Sequence, residues 1–172
     1  MNRFLYILPI LFSLSCSKNE LKEPLIYEGP LSEAENVELF YSESDKVKVK
    51  MVAALVYEYE NGDREFPKGI YLEFYDEFEN LESTLRANEA YFFQKDNKWR
   101  GRGNVEVKNI RKKEQLNTEE LFWKPKDEKI YTEKFLTIRQ EDQILTGEGL
   151  EAHQDLSLYK ITKPSGVIDL KE

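Results

Sequence analysis

Cysteine, histidine and clustered carboxylates are the side chains that hold metals or carry nucleophilic chemistry, and this 172-residue sequence has one Cys and one His. Two such residues cannot furnish the four Cys/His ligands of a structural zinc site, and a single cysteine closes no internal disulfide. His153 stands in Glu151-Ala152-His153-Gln154-Asp155 with no serine nucleophile motif or metal-ligand spacing beside it, and reads as a solvated loop residue. Carboxylates are many, 33 against 25 Lys and Arg, but most alternate with apolar residues as solvated faces do. A glycosidase-type acid pair is defined by separation in space and leaves no mark in sequence. The net charge of −8 comes without the clustered basic face that phosphate neutralisation needs, so no nucleic-acid partner is expected. Two Gly-x-Gly pairs, Gly101/Gly103 and Gly147/Gly149, lie inside alternating strand patterns and not ahead of a helix. They signal bulges or bends, not a phosphate loop. No catalytic residue, metal or cofactor is expected.

The place of the cysteine tells more than its number. Arg3, an apolar run over residues 4–14 and small residues after it form a secretory signal, too short for a transmembrane helix. Ser13-Leu14-Ser15-Cys16 resembles a bacterial lipobox, in which the cysteine is diacylated and becomes the new N-terminus. Residues 1–15 are then a lipoprotein signal peptide, and residues 16–36, polar and carrying Pro24, Gly29 and Pro30, a lipidated tether. Several acyl chains at about 0.8 kcal/mol per buried methylene anchor a protein stably, where one is marginal.

The elements that follow read as strands. From Val37 onward apolar residues mostly alternate, the period-two signal of a half-buried sheet. The longest run puts Val47, Val49, Met51, Ala53, Leu55, Tyr57 and Tyr59 on one face and Lys46, Lys48 and Lys50 on the other, ending at Asn61-Gly62-Asp63. It predicts a strand of roughly 45 Å at about 3.3 Å per residue. A second run places Leu81, Ser83, Leu85, Ala87, Glu89, Tyr91 and Phe93 on one face. Residues 114–120 read equally as helix or strand. The strand-turn-strand around Trp99-Arg100-Gly101-Arg102-Gly103 recurs around Leu145-Thr146-Gly147-Glu148-Gly149, as successive hairpins of one kind do. The fold class is all-β and antiparallel, with strands so long and apolar that their inner faces either fill each other or line a groove suited to acyl chains. The lysine ladder is a solvated or edge-protecting face.

A family resemblance rests on these strands. Residues 99–109, then Leu116-Asn117-Thr118-Glu119-Glu120-Leu121-Phe122-Trp123, Lys129-Ile130-Tyr131-Thr132 and Leu145-Thr146-Gly147-Glu148-Gly149-Leu150-Glu151-Ala152 resemble the LptC family, a periplasmic component of the lipopolysaccharide export ABC transporter. The resemblance covers residues 37–168 and is carried mainly by the second half. It implies a curled antiparallel β jelly roll of the OstA/LptA-like kind with an open groove. Such a component receives lipopolysaccharide from an inner-membrane permease pair driven by a cytoplasmic ATPase. It passes the lipid to an LptA-like periplasmic bridge protein and catalyses nothing. Where better-known members carry a transmembrane helix this sequence has its lipobox, so the expected location is the periplasm, lipid-anchored to the inner membrane. Expected groove residues are Val49, Met51, Leu55, Leu72, Leu85, Val105, Leu136 and Ile138. The expected partner edge lies around Gly147, Gly149, Leu150, Leu158 and Ile161. The rival reading is a non-catalytic envelope lipoprotein that binds a protein or glycan.

Overall fold

A computed structural model describes Tyr27 and residues 29–165; the signal, Cys16 and residues 166–172 lie outside the described residues. The described chain forms eleven strands: β1 (Ser32–Glu43), β2 (Lys46–Glu58), β3 (Arg64–Phe66), β4 (Ile70–Tyr75), β5 (Leu81–Ala87), β6 (Glu89–Phe93), β7 (Lys98–Asn109), β8 (Glu114–Lys124), β9 (Lys129–Arg139), β10 (Ile144–His153) and β11 (Tyr159–Ser165). They make one sheet in which every pairing is antiparallel, the arrangement of a β jelly roll. The 13 residues of β2 alternate as the sequence implies, with Met51, Ala53 and Leu55 buried. Residues 114–120, equally compatible with a helix, lie in β8, where Glu114, Leu116 and Thr118 are buried alternately.

Three departures from simple alternation shape the sheet. Strand β1 begins at Ser32, so the sheet starts inside the stretch read as tether, because residues 32–43 find a full ladder on β2. At Asn88 the inward phase switches. Leu85 and Ala87 are buried before it, and Ala90 and Phe92 after it, so Glu89, Tyr91 and Phe93 do not continue the inner face of β5. Both Gly-x-Gly pairs are bulges. The β7–β8 register shifts between Arg102 and Val105, and the β9–β10 register between Glu148 and Leu150. Gly103 and Gly149 sit there at φ +71 and +77, a region that residues with a Cβ rarely adopt.

The short strands nest between two long ones. Hairpin β4–β5 joins residues 49–52 of β2 to residues 106–109 of β7, while the pair β3–β6 joins Tyr57 and Glu58 of β2 to residues 98–102 of β7. The pairings β2–β4–β5–β7–β6–β3 therefore return to β2 as a closed circuit. From β7 the sheet runs on as the meander β8–β11 and folds back over the first wing. Phe74 of β4 meets Trp123 of β8 edge-on, with ring centroids 5.2 Å apart. Trp99 spans the same space, 4.8 Å from Phe92, 5.3 Å from Phe66 and 6.1 Å from Trp123. Aromatic pairs at such distances add about 0.5–1.5 kcal/mol beyond their buried area.

Candidate functional site: an apolar row across the sheet

Register partners read across the strands show how the inner face is built. Leu39, Met51, Leu72, Leu85, Val107, Leu116, Ile138 and Leu145 stand opposite one another in turn on β1, β2, β4, β5, β7, β8, β9 and β10. This apolar row is continuous over eight strands. Beside it runs Val105, Thr118, Leu136, Gly147 and Pro164. On the other side lie Val49, Phe74, Ser83, Asn109 and Glu114, where the inner face turns polar. Alternation supplies each strand's inward residues, and the register lines them up.

Most of the expected groove residues fall into this layer. Met51, Leu72, Leu85 and Ile138 belong to the long row, Val105 and Leu136 to its neighbour, and Val49 is half-buried at the edge of the core. Leu55 is buried, but outside the central cluster. Around Trp99 and Trp123 the interior is filled. The aromatic side chains of the two wings meet, leaving a cavity of about 20 Å³ bounded by Ile70, Leu72, Ala90, Trp99 and Trp123. That is room for about one water. The layer is open along β1. Leu39, at the end of the long row, is 46% exposed, and Phe40 and Tyr41 beside it are 58% and 62% exposed. These three residues are absent from the sequence-derived set although the strand pattern is read from Val37 onward, because Leu39, Phe40 and Tyr41 are consecutive apolar residues and period two marks no inner face among them.

The expected partner edge is split by the topology. Gly147, Gly149 and Leu150 lie on β10, which β9 and β11 flank on both sides, and Leu150 is core. Ile161 lies on β11, which pairs with β10 alone among the described residues, and Leu158 precedes it, 77% exposed. The lysine ladder is engaged within the chain: Lys50 pairs with Glu38 at 2.5 Å, and Lys46 Nζ donates to the Glu77 carbonyl at 2.7 Å. Among the described residues no group of three or more His, Cys, Asp or Glu is placed to hold a metal. Nor is any helix among them long and apolar enough to cross a membrane.

A family model described as lipopolysaccharide-assembly, LptC-related, matches residues 10–163. The chain belongs to the LptC family. No curated protein matches it. The family is an envelope-associated, non-catalytic part of lipopolysaccharide transport, so this chain is not an enzyme and its work lies in that transport. An inner face of alternating apolar residues, with nucleophile and metal spacing missing from the sequence, suits such a component.

Proposed function

We propose that this LptC-family chain receives lipopolysaccharide from an inner-membrane permease pair with its cytoplasmic ATPase and hands it to an LptA-like periplasmic bridge protein. Acyl groups on Cys16 hold it at the periplasmic face of the inner membrane. The observation that carries this reading is the apolar row from Leu39 to Leu145, unbroken across eight strands and exposed at its β1 end. Moving acyl chains from a bilayer onto such a surface exchanges one dry environment for another. The contribution of roughly 0.8 kcal/mol per methylene therefore nearly cancels, and direction comes from the ATPase. The chains arrive along β1, at Leu39 and Tyr41, and the wings part to admit them against Met51, Leu72, Leu85, Val105, Leu136 and Ile138, with Val49 and Leu55 at the flank. The outer edge of β11, around Ile161, offers backbone groups for strand addition by the bridge protein.

Photo-crosslinkers at Leu55 and Leu136, compared with Lys48 and Lys134, test the inner face. Capture of lipopolysaccharide at the leucine positions is the expected result, and capture only at the lysines overturns it. Depleting the protein is expected to leave newly made lipopolysaccharide at the inner membrane; unchanged delivery to the outer membrane sinks the export role.

A further inference from the structure

The interior is closed at a second place, beneath the loop between β10 and β11. Residues 153–158 cross from one wing to the other and are tied to both. Asn109 Nδ2, at the end of β7, donates to the Asp155 carbonyl at 2.6 Å, and Lys112 Nζ donates to the Ser157 carbonyl at 3.0 Å. On the other wing Trp123 Nε1 donates to Gln154 Oε1 at 2.8 Å, and the Gln154 amide donates to the Glu128 carbonyl at 2.8 Å. Leu156 at the centre of the loop is 0% exposed and belongs to the core cluster. It sits there at φ 58, a left-handed conformation costly for a bulky side chain. Its amide donates to the His153 carbonyl at 2.9 Å.

Two further features mark this end as imperfectly finished. Ser83 Oγ and Glu114 Oε2 are buried without a hydrogen-bond partner, and their residues are the register partners of Asn109 on either side. Buried polar atoms are nearly always paired, and backbone strain gathers where a segment has work to do. A strained leucine inserted from a loop, whose neighbour Asp155 is held by Asn109 between those two residues, is a contact that can be exchanged for another.

We propose that the end of the interior beneath the β10–β11 loop is a site for the terminus of an acyl chain, that Leu156 fills this site in the free protein, and that the loop leaves when a chain arrives. The identity of the lipid as lipopolysaccharide rests on the function proposed above; the site itself requires only an acyl chain.

The loop has a built-in fastening. His153 Nδ1 lies 2.7 Å from Asp155 Oδ1, and Nε2 lies 3.2 Å from Glu128 Oε2, so the imidazole bridges the loop to the start of β9. The charged groups around it are Lys129, its register partner on β9, and Glu82 of β5, which feels both His153 and Asp155 as well as Arg111 and Asp76. Burial lowers the His153 pKa, but the hydrogen bonds and charges of Asp155 and Glu128 outweigh it and hold the imidazole above its ordinary value. The protonated ring grips both carboxylates; the neutral ring loses that charge pairing. The fastening is therefore tight below the ordinary histidine value and loosens as pH rises through the raised one.

The test uses the full chain with parinaric acid, a fatty acid that fluoresces when bound. Leu156→Gly removes the filling side chain and suits the left-handed backbone, and is expected to bind about tenfold more tightly than wild type. Wild-type affinity is expected to rise from about pH 6 to about pH 8.5, and His153→Ala to bind roughly threefold more tightly than wild type at the lower pH and to flatten that dependence. Hydrogen exchange at the Gln154, Leu156 and Ser157 amides should quicken when the probe binds. Amides that stay protected with probe bound, or Leu156→Gly binding no tighter, would overturn the site, as would failure of both wild type and Leu156→Gly to bind the probe. Should parinaric acid bind as expected while purified lipopolysaccharide does not, the chain-end site stands and the export reading falls.

Discussion

Along β1 the apolar layer meets solvent: Leu39, Phe40 and Tyr41 are exposed, and the strand is covered on neither face. Beneath the β10–β11 loop the layer meets its own chain, with Leu156 fully buried and the loop tied to both wings. The two places differ in how they are finished, although both border one continuous inner face. An exposed apolar strand is finished only when something else covers it, whereas a strained internal plug is finished until something replaces it. The difference gives the interior an open side and a closed one.

The sharpest contrast is between the middle of the apolar row and its mouth. Leu116 is 0% exposed at the centre, and Leu116→Ala is expected to cost about 2–5 kcal/mol in chemical denaturation. A loss below about 1 kcal/mol would mean that the wings are not packed as described. The strand next to the plug gives the second test. A Cβ at Gly147 would stand 2.5 Å from Ile161 Cγ2 and 2.6 Å from the Lys163 carbonyl, whereas one at Gly101 meets Ala87 Cβ at 3.1 Å. Gly147→Ala is expected to cost about 1–3 kcal/mol and to free the amides of β11 to exchange, with Gly101→Ala the milder change. Equal effects would remove the distinction between the two bulges.

The plug's fastening predicts a pH signature of smaller size. Burial raises the Asp155 pKa, but hydrogen bonds from Ser157 and the His153 ring outweigh it and hold the carboxyl below its ordinary value. Its stabilisation is complete above about pH 3.9 and lost as pH falls through the lowered value. That of His153 is complete below about pH 6.5 and lost as pH rises through the raised value. The difference in melting temperature between wild type and His153→Ala should be largest inside that window and shrink on the alkaline side. A difference that widens with rising pH would contradict the pairing. Smallest of all, Leu39→Ala at the mouth should change stability by no more than about 0.5 kcal/mol while lowering capture of lipid by a crosslinker at Leu136.

Much of the sheet was readable beforehand because alternation reports which side chains share a face. Alternation puts Met51, Leu72, Leu85 and Ile138 on the inward face, and the repeated Gly-x-Gly pairs announce a bulge, a bend or a close approach, of which the register shows a bulge at each. Alternation does not report which faces meet. Trp99 and Trp123 are register partners on adjacent strands, but no local pattern announces that Phe74 of the other wing lies against Trp123. The switch at Asn88 was hidden because Tyr91 and Phe93 are themselves apolar, so both faces of β6 carry the same signal. Residues 156–161 read in sequence as a further alternating run beginning at Leu156, whereas β11 starts at Tyr159 and Leu156 is buried from a loop, because Asn109, Trp123 and Lys112, all distant in sequence, tie down its neighbours Asp155, Gln154 and Ser157.

The closed circuit of six strands decides how this molecule can come apart. A strand within the ring cannot depart without stripping partners from both neighbours, so β2 through β7 must melt as one cooperative unit. Strand β1 hangs on that ring by one ladder, and β11 on β10 by another, so each can peel without disturbing the rest. Among the described residues the sheet thus consists of a closed frame, the meander that continues it, and at either end a strand held by a single ladder.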